Sequence, residues 1–200
     1  MSTLSKIIGK VLQNQIVSFI QHFLSPYISA YRKGYSTQHV LIRLIEEWKS
    51  GLDNGNYVGA VLMDLSKAFD CIPHDLLIAK LSAYGFDRPA LKYLYSYLKG
   101  RRQCVRINGT HSKFLTILAG VPQGTILRPI LFKNIINDFN YLFNVANLHR
   151  FDDDHTLPSN SKSLEILKFV LCSESDVALK WLGDNQMLAN PSKFQAIILT

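Results

Sequence analysis

Apolar residues recur at three- and four-residue spacing from Leu4 through Ile7, Ile8, Val11, Leu12, Ile16, Phe19 and Ile20 to Phe23, with Pro26 just beyond. That period predicts an amphipathic first helix. "AYRKGYST" follows as a basic loop, and Ser36 or Thr37 can cap a second helix through "QHVLIRLIEEWKSGL". "DNGN" marks a turn, and "YVGAVLMDL" (57–65) is a nearly continuous apolar run ending at one carboxylate, the signature of a central strand covered on both faces. "CIPHDLLIAKLSAYGF" and "RPALKYLYSYLKG" predict two further helices, stopped at Gly85 and Gly100. "RRQCVRINGTHSKFLTI" alternates polar and apolar residues around Asn108-Gly109, a strong hairpin signal. A Gly/Pro loop then opens the apolar helix of "GVPQGTILRPILFKNIINDFNYLF", in which Pro129 is tolerable only in the first turn. "RFDDDHTL" lies between two short strand-like pieces, "SLEILKFVLCSESDVALKWLGDN" predicts a helix, and "FQAIILT" a last strand. Mixed helices and strands in this order predict an α+β fold, an antiparallel sheet with helices on one face.

Composition sharpens this only a little. Two hundred residues, 48% apolar and 18% charged, suit a globular chain with a sizeable core. A net charge of +7 favours a polyanionic partner without choosing between nucleic acid and a membrane surface. Cys71, Cys104 and Cys172 are scattered, with neither zinc-ligand nor disulfide-framework spacing, and a reducing compartment is the default. The N-terminal stretch is too interrupted by polar residues for a signal peptide or membrane span. The expectation is an intracellular protein, in cytoplasm or nucleus, neither secreted nor embedded in a membrane.

The candidate chemistry lies in carboxylates. An ionised Asp64 at the tip of a buried strand is costly unless paired, hydrogen-bonded or bound to a metal. Alone it reads as a cap or loop anchor; if Asp153 and Asp154 lie on an adjacent hairpin, the three form an oxygen-donor set of the kind Mg²⁺ prefers. Two such ions, about 3.5–4 Å apart, can activate a hydroxyl and stabilise a leaving phosphate oxygen. Asp70 and Asp75 read as turn or helix-cap residues, and Asp138 as the polar side of a helix.

Three motifs change the odds. "VLMDLSKAFDCIPHDLLIAKL", "AGVPQGTILRPILF" and "RFDDDHTL" resemble motifs A, B and C of reverse transcriptases, in detail those of non-LTR (LINE-type, jockey-like) retrotransposons. "LSPYISAYRKGYSTQHVL" is similar to the segment ahead of motif A, and "NPSKFQAIIL" to motif D. The resemblance implies a polymerase palm with part of the fingers: 1–56 partial fingers and 57–200 palm with inserted fingers helices, thumb and endonuclease being absent. It implies Asp64, Asp153 and Asp154 as catalytic metal ligands for two Mg²⁺ (or Mn²⁺) ions, with Leu65 lending a backbone carbonyl. Phe69 matches the steric gate against a 2′-hydroxyl, Gln123 and Gly124 the pair lining nucleotide and template, and Lys193 a proton donor to pyrophosphate. Arg32 and Lys33 are candidates for holding triphosphate or template phosphates, and Arg101, Arg102 and Arg106 a possible backbone-contacting patch.

The implied activity is RNA-directed DNA synthesis, transferring nucleotides from dNTPs to the 3′-hydroxyl of a DNA primer on an RNA template. Two departures bear on it: Arg128 stands where the family usually has Gly, and Asp152 where it usually has Ala. The resemblance starts beyond the family's R-P-[IV] fingers motif and ends at motif D, so a truncated polymerase, weak or inactive alone, is expected. The alternative is a catalytically dead, nucleic-acid-binding remnant. The two differ in whether Mg²⁺ binds: Asp64→Ala should abolish extension in the first case and leave nucleic-acid affinity largely intact in the second.

Overall fold

The computed structural model describes residues 3–30, 34–143, 148–151 and 154–200. In chain order its elements are α1 (Thr3–Ile20), α2 (Thr37–Asp53), β1 (Tyr57–Ser66), α3 (His74–Ala83), α4 (Arg88–Leu98), β2 (Arg102–Gln103), β3 (Arg106–Ile107), β4 (Thr110–His111), β5 (Leu115–Thr116), α5 (Arg128–Ile136), β6 (His149–Phe151), β7 (Asp154–Ser161), α6 (Leu164–Asp184), β8 (Leu188–Ala189) and β9 (Gln195–Leu199). They form two compact units, Leu24–Ala68 with Ile136–Thr200 and Met1–Phe23 with Phe69–Ile135.

The first unit is built on the apolar run. β1 is the hub of an antiparallel sheet, flanked by β7 and then β6 on one side and by β8 and β9 on the other. Alternation along the strand assigns its two faces. At Gly59 a Cβ would come within 2.8 Å of Leu171 and 3.2 Å of Leu167, so α6 packs against the Gly59 face. The α6 stripe Leu167, Leu171, Glu174, Ala178, Trp181 and Leu182 is buried, at the period its sequence predicts. Met63 and His155, register partners on that face, are also buried, and the Phe139 ring lies 5.4 Å from that of His155 and 4.7 Å from that of Trp181 on α6. The opposite face holds Val58, Ala60, Leu62 and Asp64. There α2 meets the sheet through Gly51, whose Cβ would lie 2.6 Å from Val58. That contact is six residues, roughly 20 Å of strand, from Asp64.

The second unit is helical with a hairpin appendage. Asp87 caps α4, its Oδ1 accepting from the Ala90 N–H at 2.9 Å, and Gly85 supplies the positive φ (+89°) that ends the turn after α3. Leu77, Leu81, Leu94 and Leu98 are buried with Leu127, Ile130 and Leu131 of the segment around α5. Pro129 falls in the first turn of α5, the position it tolerates. The helix is shorter than its apolar pattern: after Ile136 the chain tightens into a 3₁₀ turn over Asn137–Tyr141, where Asp138 lies. The hairpin signal at Asn108-Gly109 is met by the β3–β4 pair, with both turn residues at positive φ (49° and 84°). The apolar stripe of α1 is buried only at Ile16 and Ile20; Leu4, Ile7, Ile8 and Val11 remain exposed.

Candidate active site

The β1–β7 register sets Asp64 directly opposite Asp154. The Asn190 N–H donates to the Asp64 carbonyl at 2.9 Å, so Asp64 spends its backbone groups on the β8 side. Asp64 and Asp154 are therefore a non-hydrogen-bonded cross-strand pair, the closer kind, with Cα atoms about 4.5 Å apart and side chains on one face. Two carboxylates so opposed destabilise the sheet unless a cation lies between or beside them. By the same alternation Leu65 turns its carbonyl to the β7 side. The face opens into a cleft of about 490 Å³ lined by Asp64, Asp154, Thr156, Lys193 and Gln195.

One cation is supplied by the chain. Lys193 Nζ lies 3.0 Å from Asp64 Oδ2, the lysine 64% exposed and the carboxylate only 17%. The turn that brings it there is "NPSK": the Lys193 N–H bonds to the Asn190 carbonyl, and Ser192 Oγ donates to Asn190 Oδ1 at 2.7 Å. That contact fixes the amide so that Asn190 Nδ2 donates to Asp64 Oδ2 at 3.3 Å. Asn190 is thus a site residue that sequence reasoning passed over; its signal was only the asparagine–proline turn just ahead of Lys193. The donors offered by Asp64, Asp154 and the Leu65 carbonyl are all oxygen, which fits a hard divalent cation. Among the described residues no cluster of three His, Cys, Asp or Glu side chains forms. Asp153, expected as a ligand, lies outside the described residues, as do Asp152, Arg32 and Lys33.

The other unit gathers Phe69, Gln123 and Arg128 around a residue that the sequence reading set aside. Asp70 accepts from Gln123 Nε2 at 3.3 Å and faces Arg128 at 3.9 Å. Arg128, half-buried, places its guanidinium 4.4 Å from the centroid of the Phe69 ring, and Phe132, one turn along α5, lies 4.4 Å from the same ring. Asp70 is therefore a hub and not merely a turn residue. The loops carrying these groups are laced together: the Val121 N–H donates to the Phe69 carbonyl (2.9 Å), the Gly120 N–H to the Ile72 carbonyl (2.8 Å), and the His74 ring Nε2 meets the Gly120 carbonyl at 2.7 Å. Gly120 is required here, because at φ +87° a Cβ would lie 2.6 Å from the Asp70 carbonyl oxygen. Gly124 (φ +68°) is exposed, with nothing within 4 Å of where a Cβ would stand.

The chain is 34% identical over 134 residues to the "Probable RNA-directed DNA polymerase from transposon BS" of Drosophila melanogaster, covering 66% of this chain and 15% of that protein. It is 24% identical over 200 residues to the RNA-directed DNA polymerase from mobile element jockey of the same species, covering 96% of this chain and 22% of the relative. The chain thus spans less than a quarter of the curated relatives it matches. Among solved structures, telomerase from Candida tropicalis, in complex with a TWJ fragment of telomeric RNA, superposes with a TM-score of 0.67 at 16% identity, over 98% of this chain and 34% of that one. That likeness shows the fold, a polymerase palm with its associated helices. The family described as "Reverse transcriptase (RNA-dependent DNA polymerase)" matches residues 1–198, and the chain belongs to it.

Proposed function

We propose that this chain is the catalytic core of a retrotransposon polymerase that extends a DNA primer on an RNA template by nucleotidyl transfer from dNTPs. The observation that carries it is Asp64 opposed to Asp154 at the open end of the sheet, with Lys193 and Asn190 folded over the carboxylate. The family uses divalent metal ions. Asp64, Asp154 and the Leu65 carbonyl would hold two Mg²⁺ (or Mn²⁺) ions together with Asp153. When bound, these ions supply charge neutralisation at the attacking and leaving oxygens.

The chain's own residues do the rest. Lys193 keeps a proton at Nζ beside Asp64, in position to pass it to departing pyrophosphate. Phe69, braced by Arg128 and Phe132, presents a ring that excludes a ribose 2′-hydroxyl. Gln123, oriented by Asp70, and the bare backbone at Gly124 line the nucleotide and template. Arg32 and Lys33 add positive charge for triphosphate. Because phosphoryl transfer leaves little covalent work to the protein, holding these groups still is most of the catalysis.

Primer extension on poly(rA)·oligo(dT) with the purified chain, dTTP and Mg²⁺ or Mn²⁺ tests the reading. Incorporation that Asp64→Asn reduces by at least about 10²-fold is the expected result. Tight polynucleotide binding with neither incorporation nor Asp64-dependent binding of Mg²⁺ or Mn²⁺ overturns it in favour of a dead binding remnant.

A further inference from the structure

The turn that closes over Asp64 is pinned along its backbone and loose at its charged tip. The Asn190 N–H donates to the Asp64 carbonyl at 2.9 Å, and the Lys193 N–H to the Asn190 carbonyl at 3.0 Å. The Asn190 amide is fixed as well, because Ser192 Oγ donates to its Oδ1 at 2.7 Å and leaves Nδ2 facing Asp64. The lysine is the loose part: its side chain is 64% exposed, against 17% for the carboxylate it meets. Both contacts, Asn190 Nδ2 at 3.3 Å and Lys193 Nζ at 3.0 Å, fall on Asp64 Oδ2. An ionised carboxylate offers about four acceptor positions on its two oxygens, so these two donors do not exhaust it.

Charge makes this ammonium and a divalent cation rivals for one carboxylate. The described lining of the cleft carries two carboxylates, Asp64 and Asp154, and one ammonium, Lys193. With the ammonium against Asp64 the three leave one net negative charge; with it swung away they leave two, the complement of a divalent cation. Charges of +2 and +1 sharing a carboxylate repel, and at about 5 Å this weakens binding on the order of tenfold even at the dielectric of water. Breaking a largely exposed ion pair costs only about fivefold or less. The cheaper course is for Lys193 to leave, and its exposure lets it do so without moving the backbone of the turn.

We propose that Lys193 is the resident counter-ion of Asp64, that an incoming divalent cation displaces it, and that this one side chain thereby sets how tightly the cleft takes metal. The proposal rests on the reading of Asp64 and Asp154 as metal ligands. It gives Lys193 a second duty, because an ammonium paired with Asp64 is not available to a phosphate oxygen, whereas one displaced from it is. Metal arrival therefore frees the proton donor at the stage when a triphosphate can be used. The Asn190 amide, neutral and braced by Ser192, stays on Oδ2 and keeps the carboxylate oriented while its cation changes.

The test is Mn²⁺ binding to the full 200-residue chain, read as loss of the free-ion signal in electron paramagnetic resonance, at neutral pH without nucleotide or primer. K193Q is expected to tighten Mn²⁺ binding at least about threefold, since the ion no longer has to break the pair. K193R, which keeps the charge, should stay within about twofold of the wild type. K168Q is an equal charge change on an exposed position of α6, the helix on the other face of the sheet. It should also stay within about twofold at about 100 mM KCl, where exposed charges more than about 10 Å apart are screened. A second measurement needs no substitution in the turn. Acetylation of Lys193 by an N-hydroxysuccinimide ester, followed by peptide mass spectrometry, should accelerate at least about threefold when Mg²⁺ is added. In Asp64→Asn the same lysine should react fast from the start and ignore Mg²⁺. Affinity unchanged or weakened by K193Q, equal tightening by K193R or K168Q, or Lys193 reactivity indifferent to Mg²⁺ would each overturn the proposal, while Asp64-dependent Mn²⁺ binding kept the metal site standing. Mn²⁺ binding that Asp64→Asn does not weaken would instead sink the metal-ligand reading, and this inference with it.

Discussion

At the scale of single residues, the chemistry turns on a few charged groups whose neighbours decide their role. Asp64 has Lys193 at 3.0 Å and Asp154 opposite, so attraction and repulsion meet at one carboxylate. Asp154→Asn, which removes one of the two opposed carboxylates, should abolish the added stability, about 1 kcal/mol at five times Kd, that Mg²⁺ gives the wild type. Urea titrations with EDTA and with Mg²⁺ read it; a variant that keeps the Mg²⁺-dependent shift would contradict ligation by Asp154. Arg128 shows the converse. Its guanidinium covers the Phe69 ring and faces Asp70 while 23% exposed, so Arg128→Gly should cost roughly 1 kcal/mol from the lost ring contact and partly screened ion pair. An unchanged urea midpoint would mean the stacking contributes nothing.

At the scale of elements, two joints deserve mutation. Gly120 ties the entry of the Val121–Gly124 loop to the Phe69–His74 loop, and Gly120→Ala must pay for φ +87° and for a Cβ 2.6 Å from a backbone oxygen. Left-handed strain and overpacking together predict a loss of about 2–4 kcal/mol, visible as a lowered urea midpoint. The second joint is between α2 and β6: His149, buried, meets Glu47 Oε2 through Nε2 at 2.7 Å and sets its ring edge-on to Tyr27. Glu47→Ala should cost about 1–3 kcal/mol by leaving His149 without that partner, and amide exchange in β6 should accelerate with it. Exchange that is faster everywhere but β6 would show that the contact does not hold the strand.

Over the whole molecule, charge is divided by role: a carboxylate cleft in one unit and an acid-free basic stretch, residues 88–137, nearly all of it in the other. Catalysis and nucleic-acid affinity are therefore expected to separate. The double variant D64N/D154N should lose metal-dependent extension while changing RNA affinity in EDTA by less than about threefold, read by primer extension and fluorescence anisotropy of a labelled RNA on one preparation. A large fall in affinity would place the main RNA contact at the cleft.

The sequence by itself determined the element order and the nature of the central strand, because apolar period and turn chemistry are local. It also determined the motif set, and so Asp64, Asp154, Lys193, Phe69, Gln123 and Gly124 as the residues to watch. Even the early end of α5 changes little of that outline. Only the tertiary structure decided who faces whom. The register that opposes Asp64 to Asp154 depends on strand pairing across ninety residues of chain, to which no local period is sensitive. Asp70 as the partner of Gln123 and Arg128, and Asn190 as the partner of Asp64, are likewise contacts between distant segments. A carboxylate in a turn and an asparagine before a proline look ordinary in one dimension, and only folding sets them beside Gln123, Arg128 and Asp64.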